Sequence, residues 1–401
     1  MTELGDIPSE WAISKIGELT EIKTGGTPST KCEKYWKDGD IPWMASGDVN
    51  KKIINEVDAR ITKSGMENSA AKLLPKDTVM IALNGQGKTK GTVAYLNIEL
   101  TCNQSLAGFL PSYNVFNSKY LYYNLQSRYF EIRGLAGDGA RNGLNLGLLR
   151  EILIPIPSIK EQEKIASILS TVDEQIDNVD ALIEKNKELK KGLMQTLLTK
   201  GIGHTKFKKT EIGEIPEEWD VKKLECVFEI LDSMRKPIKA SDRDKIEGNI
   251  PYYGASGVID WINDYIFDEE LILLGEDGEN LNSRNSDLAF KIFGKTWVNN
   301  HAHVFRVINK KECNIDFMVY YLEAKDYSIY IAGSAQPKIT QAQCRKFLLP
   351  LPEKQEQDKI ASILLESDKK IEEYENKKQK LEELKKGLMQ QLLTGMIRVT
   401  V

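Results

Sequence analysis

The sequence predicts an α+β (mixed α/β) protein: two globular domains separated by two long helices that form an antiparallel coiled coil, with pseudo two-fold, circular internal symmetry. Three observations predict it. The chain is one unit written twice, each copy carries a long stripe of apolar residues at helical spacing, and each encloses an insert of short β-rich runs and loops.

The repeat comes first, because it frames everything else. Gly5-Asp6-Ile7-Pro8-Ser9-Glu10-Trp11 returns 208 residues later as Gly213-Glu214-Ile215-Pro216-Glu217-Glu218-Trp219. Ile154-Pro155-Ile156-Pro157 through Glu161-Gln162-Glu163-Lys164-Ile165-Ala166 returns 195 residues later as Leu349-Pro350-Leu351-Pro352 through Glu356-Gln357-Asp358-Lys359-Ile360-Ala361. Lys190-Lys191-Gly192-Leu193-Met194-Gln195 also recurs at 195, so the 13-residue difference lies in the unlike stretches 12–152 and 220–347. The domains expected are 1–152, a helix in 153–200, 201–347 and a helix in 348–401. The repeat is out of phase with the termini, so the N-terminal segment is expected to dock beside the end of the last helix.

Residues 160–198 and 355–393 read as the helices, with Pro157 and Pro352 just before them and Gly201 and Gly395 just after. Val172, Ile176, Val179, Ile183, Asn186, Leu189 and Leu193 form the seam of the first, and Ile371, Tyr374, Leu381, Leu384 and Leu388 that of the second. Asn186 stands at the register position that Leu381 holds in the second copy, where a seam asparagine fixes alignment. Each helix would be roughly 58 Å long at 1.5 Å per residue. Their flanks are too charged for burial on more than one side, and their acidic residues are expected to be solvated faces.

The inserts alternate short strands (78–82, 91–95, 271–274, 296–298) with Gly/Asn/Ser loops, and each ends in a helix, 118–133 or 315–324. Bulk numbers add exclusions. No run approaches the length of about 20 apolar residues that spans a bilayer, and no signal peptide is evident. Five scattered cysteines without a CxxC pair read as reduced thiols of a cytoplasmic protein, with neither a disulfide framework nor a zinc site. The net charge of −4 neither supports nor excludes nucleic acid, because local patches set the surface field.

Catalytic signatures are sparse. Ala82-Leu83-Asn84-Gly85-Gln86-Gly87-Lys88-Thr89 is a phosphate-binding loop with Ala82 in place of the first glycine, but a strand-like segment follows where the phosphate-binding helix should begin. With three histidines a Ser/His/Asp triad is not expected; His301 and His303 would share one strand face, with no third ligand at a recognisable spacing. No metal site, cofactor site or catalytic residue is assigned. What remains is polar and basic loops interleaved with aromatics. In the first insert the candidate DNA contacts are Lys31, Lys34, Ser46, Asn84, Gln86, Lys88, Lys90, Gln104, Arg141 and Asn142. In the second they are Arg235, Lys236, Lys239, Ser256, Arg284, Lys295, Asn300, His301, Gln336 and Lys338. Arg and Lys pair with guanine and Asn and Gln with adenine in the major groove, and further lysines would meet phosphates.

The doubled opening motif and the doubled Ile-Pro-Ile-Pro…Glu-Gln-Glu-Lys-Ile-Ala segment, in this order over essentially the whole chain, resemble the specificity (S) subunits of type I restriction–modification enzymes. The resemblance implies a non-catalytic subunit whose inserts are target recognition domains, each reading half of a bipartite, asymmetric double-stranded DNA site. It implies helices that act as spacer and recruit two methyltransferase (M) subunits, with S-adenosylmethionine bound in those partners and nuclease–translocase (R) subunits completing the complex. A two-headed scaffold that binds proteins through its coiled coil is the alternative from another class.

Overall fold

The computed structural model describes residues 6–85, 87–137, 143–331 and 337–400. They divide into two compact units, one running to residue 180 and resuming at 376, the other spanning 181–375.

In the first unit the insert enters and leaves through a two-stranded antiparallel ladder, Ala12–Lys15 against Leu153–Ile156, with Ala12 opposite Ile156. Beyond it lies a five-stranded sheet in the order Ile22–Thr24, Leu106–Phe109, Val79–Ala82, Val93–Leu96, Ile53–Ile54. Three of these strands are buried along their whole length, as their unbroken apolar runs require. A smaller sheet orders Arg60–Ile61, Ile41–Met44 and Thr101–Cys102. The helix expected over 118–133 is two, Ser118–Ser127 and Tyr129–Gly134, broken at Arg128 where φ is −105° and ψ is 23°.

The second unit repeats the plan. Its ladder pairs Asp220–Lys223 with Leu348–Leu351. Its main sheet orders Phe228–Ile230, Ala302–Val307, Leu271–Gly275, Ala289–Ile292, and a second sheet orders Gly257–Ile262, Glu247–Gly254, Lys295–Val298, Phe267–Asp268. Asn314 caps the helix Ile315–Ala324, its side chain accepting from the Phe317 amide, as Asn117 does for Tyr120 in the first unit.

The two long helices are continuous, Ile159–Lys200 and Lys354–Leu393, of 42 and 40 residues. Within the first unit Asp173 pairs with Lys385 and Asp180 with Lys378, each at 2.6 Å. Within the second, Lys187 pairs with Glu375 at 3.2 Å and Lys190 with Asp368. In each unit the number rises along one helix as it falls along the other, so the segments run antiparallel.

The seam departs from expectation at three residues. Val172, Ile176, Val179, Ile183 and Ile371 are buried, and Leu193, Tyr374, Leu381 and Leu388 half-buried. Continuing the alternating three- and four-residue steps from Ile183 through Asn186 brings Lys190, not Leu189, to the seam; in the second copy Lys385 takes the place expected for Leu384. Leu189 and Leu384 are consequently 57% and 50% exposed. Asn186 donates to the Leu182 carbonyl of its own helix at 2.7 Å, so no register role across the seam is visible for it.

The Trp of each opening motif closes its unit. The Trp219 indole N–H donates to Glu356 Oε2 at 2.9 Å, and His204 Nε2 lies 2.9 Å from Oε1. In the first unit Trp11 donates to Glu161 at 3.2 Å, while Arg398, beyond the distal helix, reaches both oxygens of Glu161. The N-terminal segment therefore does dock at the end of the last helix: a Cβ on Gly395 (φ +73°) would meet the Pro8 ring at 2.5 Å.

Candidate nucleic-acid interface

Strand register decides which loops meet. In the first insert, chain leaving Thr24, chain leaving Ala82 and chain entering Leu106 all lie at one end of the five-stranded sheet, since Thr24 and Ile81 both oppose Ala107. The final loop joins them through the Leu144 amide, which donates to the Leu83 carbonyl. In the second insert, Ile230 and Ile272 both oppose Phe305, which gathers the loops after Ile230, after Gly275 and before Ala302. The final loop again joins, through the Ile339 amide on the Glu276 carbonyl at 2.8 Å.

Most sequence-derived candidates fall on these loop clusters. Asn84, Lys88, Lys90 and Gln104 occupy the first, and Ser46 lies nearby, because the strand it follows pairs in parallel with Thr101–Cys102. Asn84, Lys88 and Gln104 are exposed, with Lys90 and Ser46 half-buried. Gln104 accepts from the Thr27 hydroxyl at 2.7 Å, and Trp36 and Trp43 pack edge to face 5.1 Å apart, with the Trp43 indole on the Gly26 carbonyl. Lys31 is exposed on the same stretch; Lys34 sits apart, its carbonyl held by Thr62 and its ammonium 5.5 Å from the Tyr35 ring. Gln86, Arg141, Asn142 and Gln336 lie outside the described residues.

The phosphate-loop look-alike is a hairpin. The Gly91 amide donates to the Ala82 carbonyl, and strand Val93–Leu96 follows. Tyr129 donates to the Lys88 carbonyl at 2.9 Å and Arg133 to the Lys90 carbonyl, pinning the tip to the helix behind it. The cleft between them, about 610 Å³, is lined by Lys52, Lys88, Arg133, Tyr129 and Phe130 among others, with no carboxylate among the described residues of its wall.

In the second cluster Lys236, Lys239, Ser256, Asn300 and His301 are exposed, and His301 lies 2.9 Å from Asp277. Lys295 is displaced: it opens its strand at the far end, 4.6 Å from the Tyr265 ring. Arg235 and Arg284 are turned inward. Arg284 bonds the Glu323 carbonyl and carboxylate. Arg235, its side chain 12% exposed, donates to Glu276 at 2.5 Å and to the Ala302 carbonyl at 2.6 Å.

His301 and His303 do not form a shared face for a metal. His301 precedes the strand, while His303 is fully buried with Nδ1 2.6 Å from Asp232 and Nε2 2.9 Å from the Ile339 carbonyl. Asp232, Glu276 and His303 do converge, but the Arg235 guanidinium and the Lys338 ammonium, 2.9 Å from Glu276, supply the positive charge there. Burial would lower the His303 pKa; the bond to Asp232 outweighs it and pushes it up to about 10. Burial would raise both carboxyls; the bond from His303 holds Asp232, and the bonds from Arg235 and Lys338 hold Glu276, below their ordinary values.

A family model described as the type I restriction modification DNA specificity domain matches residues 8–190 and again 216–383. The chain belongs to this family. Relatives in it include the type I restriction enzyme MjaIX specificity subunit of Methanocaldococcus jannaschii, 26% identical over 99% of this chain and 96% of that one. The EcoR124I/EcoR124II specificity subunit of Escherichia coli is 27% identical over 45% of each. The fold is similar to the crystal structure of a type I S subunit from M. genitalium, with a TM-score of 0.62, 19% identity and 98% of both chains covered.

The specificity-domain repeats also hold anchors that composition alone did not single out. Gln162, fully buried, accepts from the Asn117 amide and donates to the Pro157 carbonyl; Gln357 does the same with Asn314 and Pro352. Glu161, 3% exposed, and Asp173 and Asp368, which take the hydroxyls of Tyr123 and Tyr320, are not solvated-face acids as expected. Lys385 and Lys190 complete these sites, 5.4 and 5.3 Å from the same two rings. The repeat could have revealed them: 161 and 356, 173 and 368, and 190 and 385 are all 195 apart.

Proposed function

We propose that this chain is the DNA-specificity subunit of a type I restriction–modification complex, each insert a target recognition domain that reads one half of a bipartite, asymmetric site. The observation that carries the reading is the convergence, in each insert, of loops bearing Lys, Asn and other polar side chains at one end of a sheet. The loops differ between inserts on a shared sheet plan, which predicts unlike half-sites. In this reading Asn84, Gln104, Asn300 and His301 read base edges, and Lys88, Lys236 and Lys239 meet phosphates. Arg235 and Arg284 serve by holding loops rather than by touching DNA.

The subunit works without a catalytic site of its own, in the cytoplasm. Two M subunits would bring S-adenosylmethionine and methylate adenine, with R subunits completing the assembly. The long helices act as spacer, and Leu189 and Leu384, exposed at repeat-equivalent positions, suit docking of two like partners. The test is to express the chain with its methyltransferase partner and map methylated adenines across the host genome. One motif of two unlike halves around a fixed gap is expected; no motif, or a contiguous one, would overturn the reading.

A further inference from the structure

Superposing the two inserts by strand register makes Gly26 equivalent to Asp232, Gly85 to Glu276 and Ser105 to His303. One insert thus has two glycines and a serine where the other has two carboxylates and a histidine. From this difference we infer that Glu276 is a positioning residue for base recognition by the second domain, clamping its four reading loops into one rigid surface. The inference rests on that domain being a DNA reader.

Glu276 touches every loop of the cluster. Its Oε2 takes Arg235 of the first loop, and its Oε1 takes Lys338 of the last. Its amide donates to the His301 carbonyl at 2.9 Å and its carbonyl accepts from Ile339. Arg235 in turn reaches the carbonyls of Asp232 and Ala302, and Asp232 holds His303 and the Val304 amide. The carboxylate is 9% exposed, while His301 and Lys338 beside it are each 48% exposed. A buried inner layer of charge thus fixes an outer layer of candidate DNA contacts.

The fold does not need this layer. The first insert builds the same order of four strands, with a fifth beyond them, around Gly26, Gly85 and Ser105, and its loop Gly25–Gly26 presses directly on the Cys102 backbone instead. Beneath the charged layer the second sheet packs on Leu271, Leu273 and Val304, which are fully buried. A satisfied buried network rigidifies what it joins, and removing one member leaves a charge without its partner. The consequence falls on loop position, and a bidentate base contact tolerates little displacement.

The test uses the full chain with its methyltransferase partner, reading the two half-sites separately from mapped methyladenines. Glu276→Gln keeps the shape and removes the charge. Discrimination in one half-site should fall about tenfold, within the range a lost base contact produces, with the other half unchanged and Glu276→Asp partly restoring it. Thermal melting accompanies each variant. Should Glu276→Gln fail to fold, the paired Arg235→Met/Glu276→Leu variant, which removes the buried guanidinium together with the carboxylate and leaves the half-exposed Lys338 ammonium to solvent, takes its place with the same expectation. A folded variant that keeps both half-sites sharp, or blurs both equally, overturns the inference. A wild-type chain that yields no bipartite motif overturns the DNA-reading assignment instead.

Discussion

Glu356 accepts from the Trp219 indole, the His204 ring and the Ile202 amide, three groups brought together from one end of the central helix and the segment after it. Glu356→Ala would leave the buried indole N–H unpaired, and about 1–3 kcal/mol of stability should be lost, measurable as a lowered denaturant midpoint by Trp fluorescence. His303 gives a pH prediction for the second unit. Its folded pKa of about 10 stands above the ordinary 6.5, so its contribution is complete below 6.5 and disappears as pH rises through about 10. Asp232 and Glu276, held low, contribute above the ordinary carboxylate range and lose that contribution in acid. In Asp232→Asn the imidazole should titrate well below 10, as NMR of the ring protons would show; an unchanged titration would refute the pairing. Lys88, exposed at the hairpin tip, should act on phosphates, so Lys88→Ala is expected to weaken DNA binding more at low salt than at high. A salt-independent loss would assign it to a base. None of these partnerships except the repeated Glu/Trp pair was legible in the sequence, because Arg235 and Glu276 stand 41 residues apart in two unlike loops. Composition singled out Arg235 as a candidate DNA contact; only the fold turns it inward.

At the scale of elements, the long helices were readable almost to the residue, since heptad-like spacing and flanking proline and glycine are local signals. The phase within the heptad was less readable. Leucine is the expected seam residue, so Leu189 and Leu384 drew the assignment, although the steps favour Lys190 and Lys385, whose stems lie in the seam while their ammonium groups meet Asp368 and Asp173. Two predictions separate these roles. If the two leucines dock the proposed methyltransferase subunits, Leu189→Glu with Leu384→Glu should leave melting temperature nearly unchanged and abolish co-purification with such a subunit. Lys385→Met should loosen the helix Ser118–Ser127 from the distal helix, because Asp173 would keep Tyr123 but lose its counter-charge; faster amide exchange over 118–127 is the readout. The helix break at Arg128 escaped the sequence because the guanidinium that stabilises it bonds the Leu153 carbonyl, 25 residues on.

For the whole molecule, the duplication told most. It pointed to two inserts, two long helices and the docking of the N-terminal segment at the end of the last helix, from matched motifs alone. Loop contents carried no periodicity, so the sequence named candidates without telling outward from inward side chains. A spacer made of helices of 42 and 40 residues would be roughly 60 Å long. Inserting one whole turn in both should widen the gap between methylated half-sites without altering the bases read; an unaltered gap would refute the spacer role.

The paired strands at the base of each insert have a consequence for inheritance. Because Ala12 faces Ile156 and Asp220 faces Leu351, each insert's entry and exit are adjacent, and its interior never has to reach a distant attachment point. A gene conversion that replaced everything inside one such gate, whatever its length, would leave the surrounding framework intact. New target preferences could then arise in a single recombination event, one half at a time.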